Sequence, residues 1–573
     1  MQKECQELLK DKIMNKRSKA FIFLLCAGFV LCGCSQESPE RDSSFLSEEQ
    51  IEAQNELASH DPYEPYGQTI TYNLAKLTGL NNMPEGDTYT NNAYTRVFKD
   101  MLNVQNIDIL EADETKYYNT LDLYISSGEL PDVMVLDDYS QLQYLAENDM
   151  IADLSQAYEE CTTDRIKEIY ASYGDEILEN VTFDGKLMAM PSTNIGNGPN
   201  LLWIRQDWLD KLGLDQPKTM DELFDVLRAF VEQDPQGNGQ GNTIGLAINS
   251  TIAGQDGYAI EFGLDSIFSM YDTALGKWVY DEEGNLAYSS CTSQSKAALQ
   301  LIHDLYQEGL IDQNFALRTQ SNINEEIIAG RCGAFFGPWW SSNNPLVDAK
   351  KADPDSEWVC LLLPSDEDGT VTFYNEAPSS QYVVVSKEYE HPEIVCKILS
   401  VQFDYLRFEM KDNEEINKYD ELNVDQTAKP LVINVDYAKA LQYSHENIVS
   451  VIEGESSLSD VPNLDASYAK ACLDYLEDEE NADPEDWAAY MSRVAAPSLF
   501  DDDTLNAKAS VFYGTTPTMS KKLLSLQQYE NQMYIQMIVE QDGMDLFDEF
   551  VEGWMAKGGQ QILLEISEQI ESN

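Results

Sequence analysis

The stretch "DVMVLDD", Asp132 to Asp138, constrains this chain most. Its apolar run is short, nearly continuous and flanked by carboxylates. A run of that length without alternation fits a strand covered on both faces, and such strands belong to parallel sheets with helices on either side. The neighbouring segments agree. "QTITYNLA" reads as a strand and "NAYTRVFKDML" as a helix. "IDIL" reads as a strand and "TKYYNTLDLYISSGEL" as a helix. Strands alternating with helices predict βαβ units, hence an α/β fold. In open α/β sheets ligands lie outside the carboxyl ends of the strands, which nominates Asp137 and Asp138.

The pattern continues through "LLWI" (strand) and "RQDWLDKLGL" (helix). Thr219 with Glu222 three places on is a capping box. Leu223, Val226, Leu227 and Phe230 then mark one face of a helix, and Ile244, Leu246 and Ile248 alternate as a strand. Beyond residue 380 strands thin out and helices dominate, with Gly558 and Gly559 breaking the last one. With 573 residues, two or more domains are expected.

Lys16, Arg17 and Lys19 precede the apolar run "AFIFLLCAGFVL", too short to span a bilayer, so residues 1–33 read as a secretory leader. The polar piece before it makes Met14 a better start than Met1. The junction "LCGC" resembles a bacterial lipobox, which implies acylation of Cys34. Residues 34–67 are rich in Glu, Ser, Asp, Pro and Gln and read as a disordered tether. Six cysteines lie beyond Cys34. Their number permits disulfides in an exported chain, their spacing fixes no pairing, and buried free thiols are the alternative.

With 101 acidic against 37 basic residues, the net charge is -64. That repels nucleic acid and other large anions. It also favours neutral, hydroxyl-rich ligands over uronates. The four histidines (His60, His303, His391 and His445) are isolated in sequence, and no nucleophile elbow, zinc-protease motif or phosphate loop is present. Aromatic residues are plentiful, with 31 Tyr, 20 Phe and 8 Trp. Their faces stack on the C–H faces of sugar rings. "FFGPWWSSNN" sets Trp339 and Trp340 just after a strand and a Gly-Pro turn. "DPQGNGQGNTIG" has the opening cadence of a calcium loop in Asp234, Gln236 and Asn238, with Gly239 at the sixth place. Asn242 and Thr243 stand where carboxylates are wanted, so weak or no Ca2+ is expected and the loop reads as structural.

The stretches "SSGELPDVMVL", "GKLMAMPST", "LLWIRQDWLDKLGL", "DPQGNGQGNTIGL", "GRCGAFFGPWW" and "FYGTTPTMSKKLLSLQQYENQMY" come in the order found in extracellular solute-binding proteins of family 1, which the chain resembles from about residue 68 to its end. These are carbohydrate-binding components of ABC importers, with alginate- and maltose-binding proteins as cousins. The resemblance implies a periplasmic-binding-protein-like fold: two α/β lobes joined by hinge strands, with a helix-rich C-terminal part. Lobe 1 would take residues 68–190 and 380–440, and lobe 2 residues 191–379 and 441–573. Crossings are expected at Gly185–Thr193, at Phe373–Lys387 and near residue 440. Carried over, the ligand residues would be Trp339, Trp340, Asp137 or Asp138, Glu85, Asn91, Trp203, Arg205, Asn249 and Tyr258, with Arg205 equally readable as a structural ion pair. Asp234, Gln236, Asn238 and the backbone carbonyl of Gln240 match the calcium loop of alginate-binding relatives.

The function so implied is a lipid-anchored protein on the outer face of a Gram-positive cytoplasmic membrane. It would be a monomer that captures an oligosaccharide and delivers it to ABC permease subunits, touching the membrane only through its lipid. A glycan sensor or adhesion module, and a surface glycoside hydrolase, are the competing readings.

Overall fold

The computed structural model describes residues 46–572 except 80, 196–197, 253–260, 282, 365–368, 411–412, 423 and 501–502. The leader, Cys34 and Tyr258 lie outside the described residues. One compact unit begins at Glu48.

The chain opens with helix α1 (Glu48–Ala58), followed by β1 (Ile70–Leu77), α2 (Ala93–Leu102), β2 (Val104–Ala112), α3 (Glu114–Ser127), β3 (Val133–Leu136) and α4 (Tyr139–Glu147). Strand β4 (Met190–Pro191) leads into a second run of β5 (Leu201–Arg205), α5 (Gln206–Leu212), α6 (Met220–Gln233), β6 (Ile244–Ala247), β7 (Cys332–Gly337) and β8 (Trp358–Leu361). The chain then returns as β9 (Tyr382–Val385) and finishes in helices, among them α7 (Ala440–Ile452), α8 (Asn463–Glu477) and α9 (Met519–Val539). None of the described helices is long and apolar enough to cross a membrane.

These strands form two separate sheets, beside three two-stranded pairs. The first has the order β2-β1-β3-β9-β4 and the second β8-β5-β7-β6. All four residues of β3 are buried, as its unbroken apolar run predicts. Leu74, Val133, Leu136 and Val383 belong to one core. Leu202, Leu246 and Phe336 belong to another, which also takes in Tyr534 and Trp554 from the C-terminal helices. Each fully buried aliphatic side chain stabilises by about 1.5–3 kcal/mol, so Leu136→Ala strikes the first core directly.

The sheets are mixed, where βαβ alternation alone predicts parallel strands. Strands β1 and β2 are parallel, as are β6 and β7. Strand β9 runs against β3 and β4, and β5 runs against β7 and β8. The reason is connectivity. Strands β5 and β9 are the two fed by a crossing from the other sheet. They enter from the crossing side, so they point opposite to strands that end there. The carboxyl ends of β1, β3 and β4 in one sheet, and of β6, β7 and β8 in the other, therefore face the crossings.

Helix α6 starts as its sequence predicts, with Thr219 Oγ1 accepting from the Glu222 amide at 3.2 Å. The reciprocal bond is displaced by one residue. Glu222 accepts from the amide of Lys218 at 2.7 Å, so the box closes one residue early. The six cysteines are unpaired, and all but Cys291 are buried.

The chain is ordered well before residue 67, where a tether was expected. Helix α1 buries Ala58, and Tyr66 is also buried in the first core. The ammonium of Lys397, itself buried, donates to the carbonyls of Ala58 (2.8 Å), Asp61 and Glu64 (3.0 Å). It thereby satisfies a carbonyl at the α1 C-terminus that the helix leaves unpaired, at the dipole's negative end.

Candidate functional site

The crossings are joined edge to edge by backbone hydrogen bonds. The Ser192 amide donates to the carbonyl of Gln381 (2.8 Å), the Thr193 amide to Asn434 (2.7 Å) and the Asn194 amide to Pro378 (2.9 Å). Thr193 Oγ1 accepts from the Asp436 amide at 2.8 Å. The Ser192 and Ser379 hydroxyls lie 3.2 Å apart, and Gln381 Nε2 donates to Tyr118 Oη at 3.4 Å. Three chain passages thus form one polar hinge between the sheets, at the strand ends where a ligand belongs.

Several expected ligand groups lie at that edge. Asp137 and Asp138 follow β3 and are exposed. Asp138 is already engaged as the N-cap of α4, accepting from the amide and hydroxyl of Ser140, each at 2.7 Å. Asn249 lies just past β6, where its side-chain oxygen accepts from the Thr251 amide at 3.0 Å. Trp339 and Trp340 follow β7 and are half-buried. Glu85 and Asn91 sit exposed in the loop after β1, with Asn91 accepting from Arg96 at 3.3 Å. The neighbouring Asn92, fully buried, holds this loop. It caps α2 and donates to the carbonyls of Thr88, Tyr89 and Ala428.

Two candidates lie away from that edge. Trp203 is fully buried, with Nε1 donating to the Pro338 carbonyl at 3.1 Å. Arg205 is 1 % exposed. It binds Asp207 through Nε and Nη2, each at 2.7 Å, and lies over the rings of Trp208 and Trp358. The cause is strand direction. Because β5 starts at the crossings, Arg205 at its far end stands about 13 Å away from them, at about 3.3 Å per residue. Arg205 is a structural ion pair.

The glycine-rich loop lies at that same far end, between α6 and β6. Asp234 Oδ1 accepts from the Asn238 amide (2.9 Å) and the Thr243 hydroxyl (2.7 Å), and Oδ2 from the Gly239 amide (2.8 Å). Gln236 Oε1 accepts from Arg205 Nη2 (3.3 Å) and Trp208 Nε1 (3.2 Å). Asn238 Nδ2 donates to Thr243 and to the Gly330 carbonyl. One carboxylate, with a guanidinium touching the second oxygen donor, is a poor fit to calcium, which is bound in proportion to ligand charge.

Sequence reasoning missed two groups near the carboxyl ends of β6 and β7. Glu261 is 4 % exposed and accepts from Gln320 at 3.0 Å. Burial pushes its carboxyl up to about 7. Its neighbour Phe262 joins the carboxyl ends of β6 and β7, donating to the Phe336 carbonyl and accepting from the Asn249 amide. Arg493 stacks on Trp339, with its guanidinium carbon 4.8 Å from the ring centre, and on Tyr468 at 4.0 Å. Neither residue stands in a recognisable motif, so no sequence signal pointed to them.

Two α/β lobes hung on three crossings, with aromatic and polar groups on the facing strand ends, define a hinged ligand-binding protein. The chain belongs to the bacterial extracellular solute-binding protein family, which it matches over residues 93–390. It is 24% identical over 302 residues to Lipoprotein LipO of Bacillus subtilis, a match covering 51% of this chain and 57% of LipO. It is 28% identical over 235 residues to the fructooligosaccharide ABC transporter substrate-binding protein FusA of Streptococcus pneumoniae, covering 39% of this chain and 42% of FusA. The chain spans about half the length of these curated relatives. The solved structure of FusA with kestose aligns at TM-score 0.57 and 16% identity, over 88% of this chain and 100% of FusA. The alginate-binding protein AlgQ2, solved without calcium ion, aligns at TM-score 0.54 and 15% identity, over 87% of this chain and 97% of AlgQ2. At those identities the likeness is one of fold.

Proposed function

We propose that this protein captures a saccharide between its two lobes and delivers it to the permease subunits of an ABC importer. The observation that carries this reading is the placement of Trp339 and Trp340 at a carboxyl strand end facing a three-passage hinge. Aromatic faces there suit sugar rings, and the hinge lets one lobe close over the ligand. FusA, named for fructooligosaccharides, supports a saccharide as the ligand. The lipobox-like "LCGC" and the lipoprotein name of LipO support a lipid anchor at Cys34 on the outer face of a Gram-positive membrane. The protein acts as a monomer that binds without turning over its ligand. Its histidines serve structural contacts in keeping with that: His303 and His445 each meet a backbone carbonyl at 2.9 Å.

A thermal-shift and tryptophan-fluorescence screen against neutral and acidic oligosaccharides tests this. A true ligand at a hundred times its Kd adds about 2.7 kcal/mol of apparent stability. Silence across the panel would sink the proposal. Appearance of shortened saccharides would replace binding with hydrolysis.

A further inference from the structure

Arg493 differs from every other arginine among the described residues. Each of the others forms an ion pair with an Asp or Glu, as Arg96 does with Asp87, Arg228 with Glu308 and Arg407 with Asp436. In a chain with 101 acidic residues such pairing is easy. Arg493 has no carboxylate partner among the described residues, and its Nε is buried with no hydrogen-bond partner. What holds its guanidinium instead is aromatic: Tyr468 at 4.0 Å and Trp339 at 4.8 Å. Its backbone is fixed as well, because His445 on α7 meets the Arg493 carbonyl at 2.9 Å. Helix α7 starts directly after the third crossing. The cluster therefore stands where β7 ends and the hinge begins.

A guanidinium stacked on aromatic rings is rigid, and its in-plane N–H donors form a fork that matches a carboxylate. A buried Nε with no acceptor is costly to leave as it is, and a ligand at the Nη edge of the same guanidinium would offset that cost. We propose that Arg493 is a specificity-determining residue that binds the carboxylate of an acidic saccharide, with Trp339 and Tyr468 holding the guanidinium in place. This rests on the saccharide-binding reading above and narrows it to carboxylated sugars. It runs against the long-range charge of -64, which disfavours an anion on approach. At physiological salt that repulsion is screened within about 8 Å, so a ligand in the cleft responds to the charge it touches.

The test is calorimetric titration of the full chain and of Arg493→Gln and Arg493→Lys. The probes are trigalacturonate and its methyl ester, and sialyllactose and lactose. Wild type should bind at least one carboxylated probe more tightly than its neutral counterpart. Arg493→Gln should weaken that binding by about 10- to 100-fold, the scale of a charge-assisted hydrogen bond, and weaken neutral sugars by clearly less. Arg493→Lys keeps the charge without the fork and should fall between. If Arg493→Gln does not fold, Arg493→Lys carries the comparison. Neutral sugars binding as well as acidic ones, or variants binding like wild type, would overturn the role of Arg493 and leave saccharide capture standing. Failure of every saccharide to bind wild type would bring down both.

Discussion

Thr193 and Asn434 are bonded across the hinge through both backbone and side chain. The Thr193 amide donates to the Asn434 carbonyl at 2.7 Å, and Asn434 Nδ2 returns a longer bond to the Thr193 carbonyl at 3.4 Å. The first and third passages between the lobes are thereby zipped together, 241 residues apart in sequence.

Thr193→Val keeps that backbone bond and the side-chain shape but removes Oγ1. The Asp436 amide, which donates to Oγ1 at 2.8 Å in a residue 8 % exposed, then has no acceptor. An orphaned buried donor costs about 1–3 kcal/mol. A lower melting midpoint in differential scanning calorimetry is expected. An unchanged midpoint would mean that the hydroxyl contributes nothing to the hinge.

Arg205→Met is a stability variant and should leave ligand binding alone. Removing one partner of a buried ion pair costs about 3–5 kcal/mol. Asp207 keeps 26% of its side chain exposed, so about 2–3 kcal/mol is the fitting expectation after solvent screening. Equilibrium urea unfolding should record that loss. Saccharide affinity of the folded protein should match wild type, and a large drop would restore Arg205 to the binding site.

Glu261 makes stability depend on pH. Burial holds its carboxyl at about 7 in the folded chain, against an ordinary value of 4.5. The folded state thus keeps a proton that the unfolded chain releases. The resulting stability is fully present below pH 4.5 and is lost as pH rises through 7. The span is about 3 kcal/mol, at about 1.4 kcal/mol per pH unit. Glu261→Gln should flatten the midpoint-versus-pH curve over that window and raise the midpoint at pH 8. A curve as steep as that of wild type would show that another group is responsible.

Calcium at 1 mM should leave the melting midpoint of the chain where it is, because one carboxylate carries the loop. Asp234→Ala should lower it by about 1–2 kcal/mol of stability through loss of three accepted hydrogen bonds, including that from the Thr243 hydroxyl. Sub-micromolar calcium binding by calorimetry would contradict the first expectation, and an unaltered Asp234→Ala melt the second.

What the sequence made legible was local. The unbroken apolar run of β3 and the capped start of α6 follow from burial and from hydrogen bonding within a few residues, and both stand in the structure. The Gly-Pro-Trp turn likewise ends a buried strand. Strand direction was not legible. Trp203 and Arg205 lie in a strand that reads like any other, and only its entry from the crossing side carries Arg205 away from the cleft. Arg493 was invisible for a related reason. It meets Trp339 from 154 positions further along the chain, after the third crossing, and no local pattern encodes that return. Helix α1 reads as a polar tether because what holds it, Lys397, is 339 residues from Ala58.

The docking of α1 has a mechanical consequence. Lys397 clamps the C-terminal end of α1 to the body of the first sheet, which holds β1, β3 and β9. A force applied through α1 therefore reaches the first core, which holds Ala58, before it reaches the second.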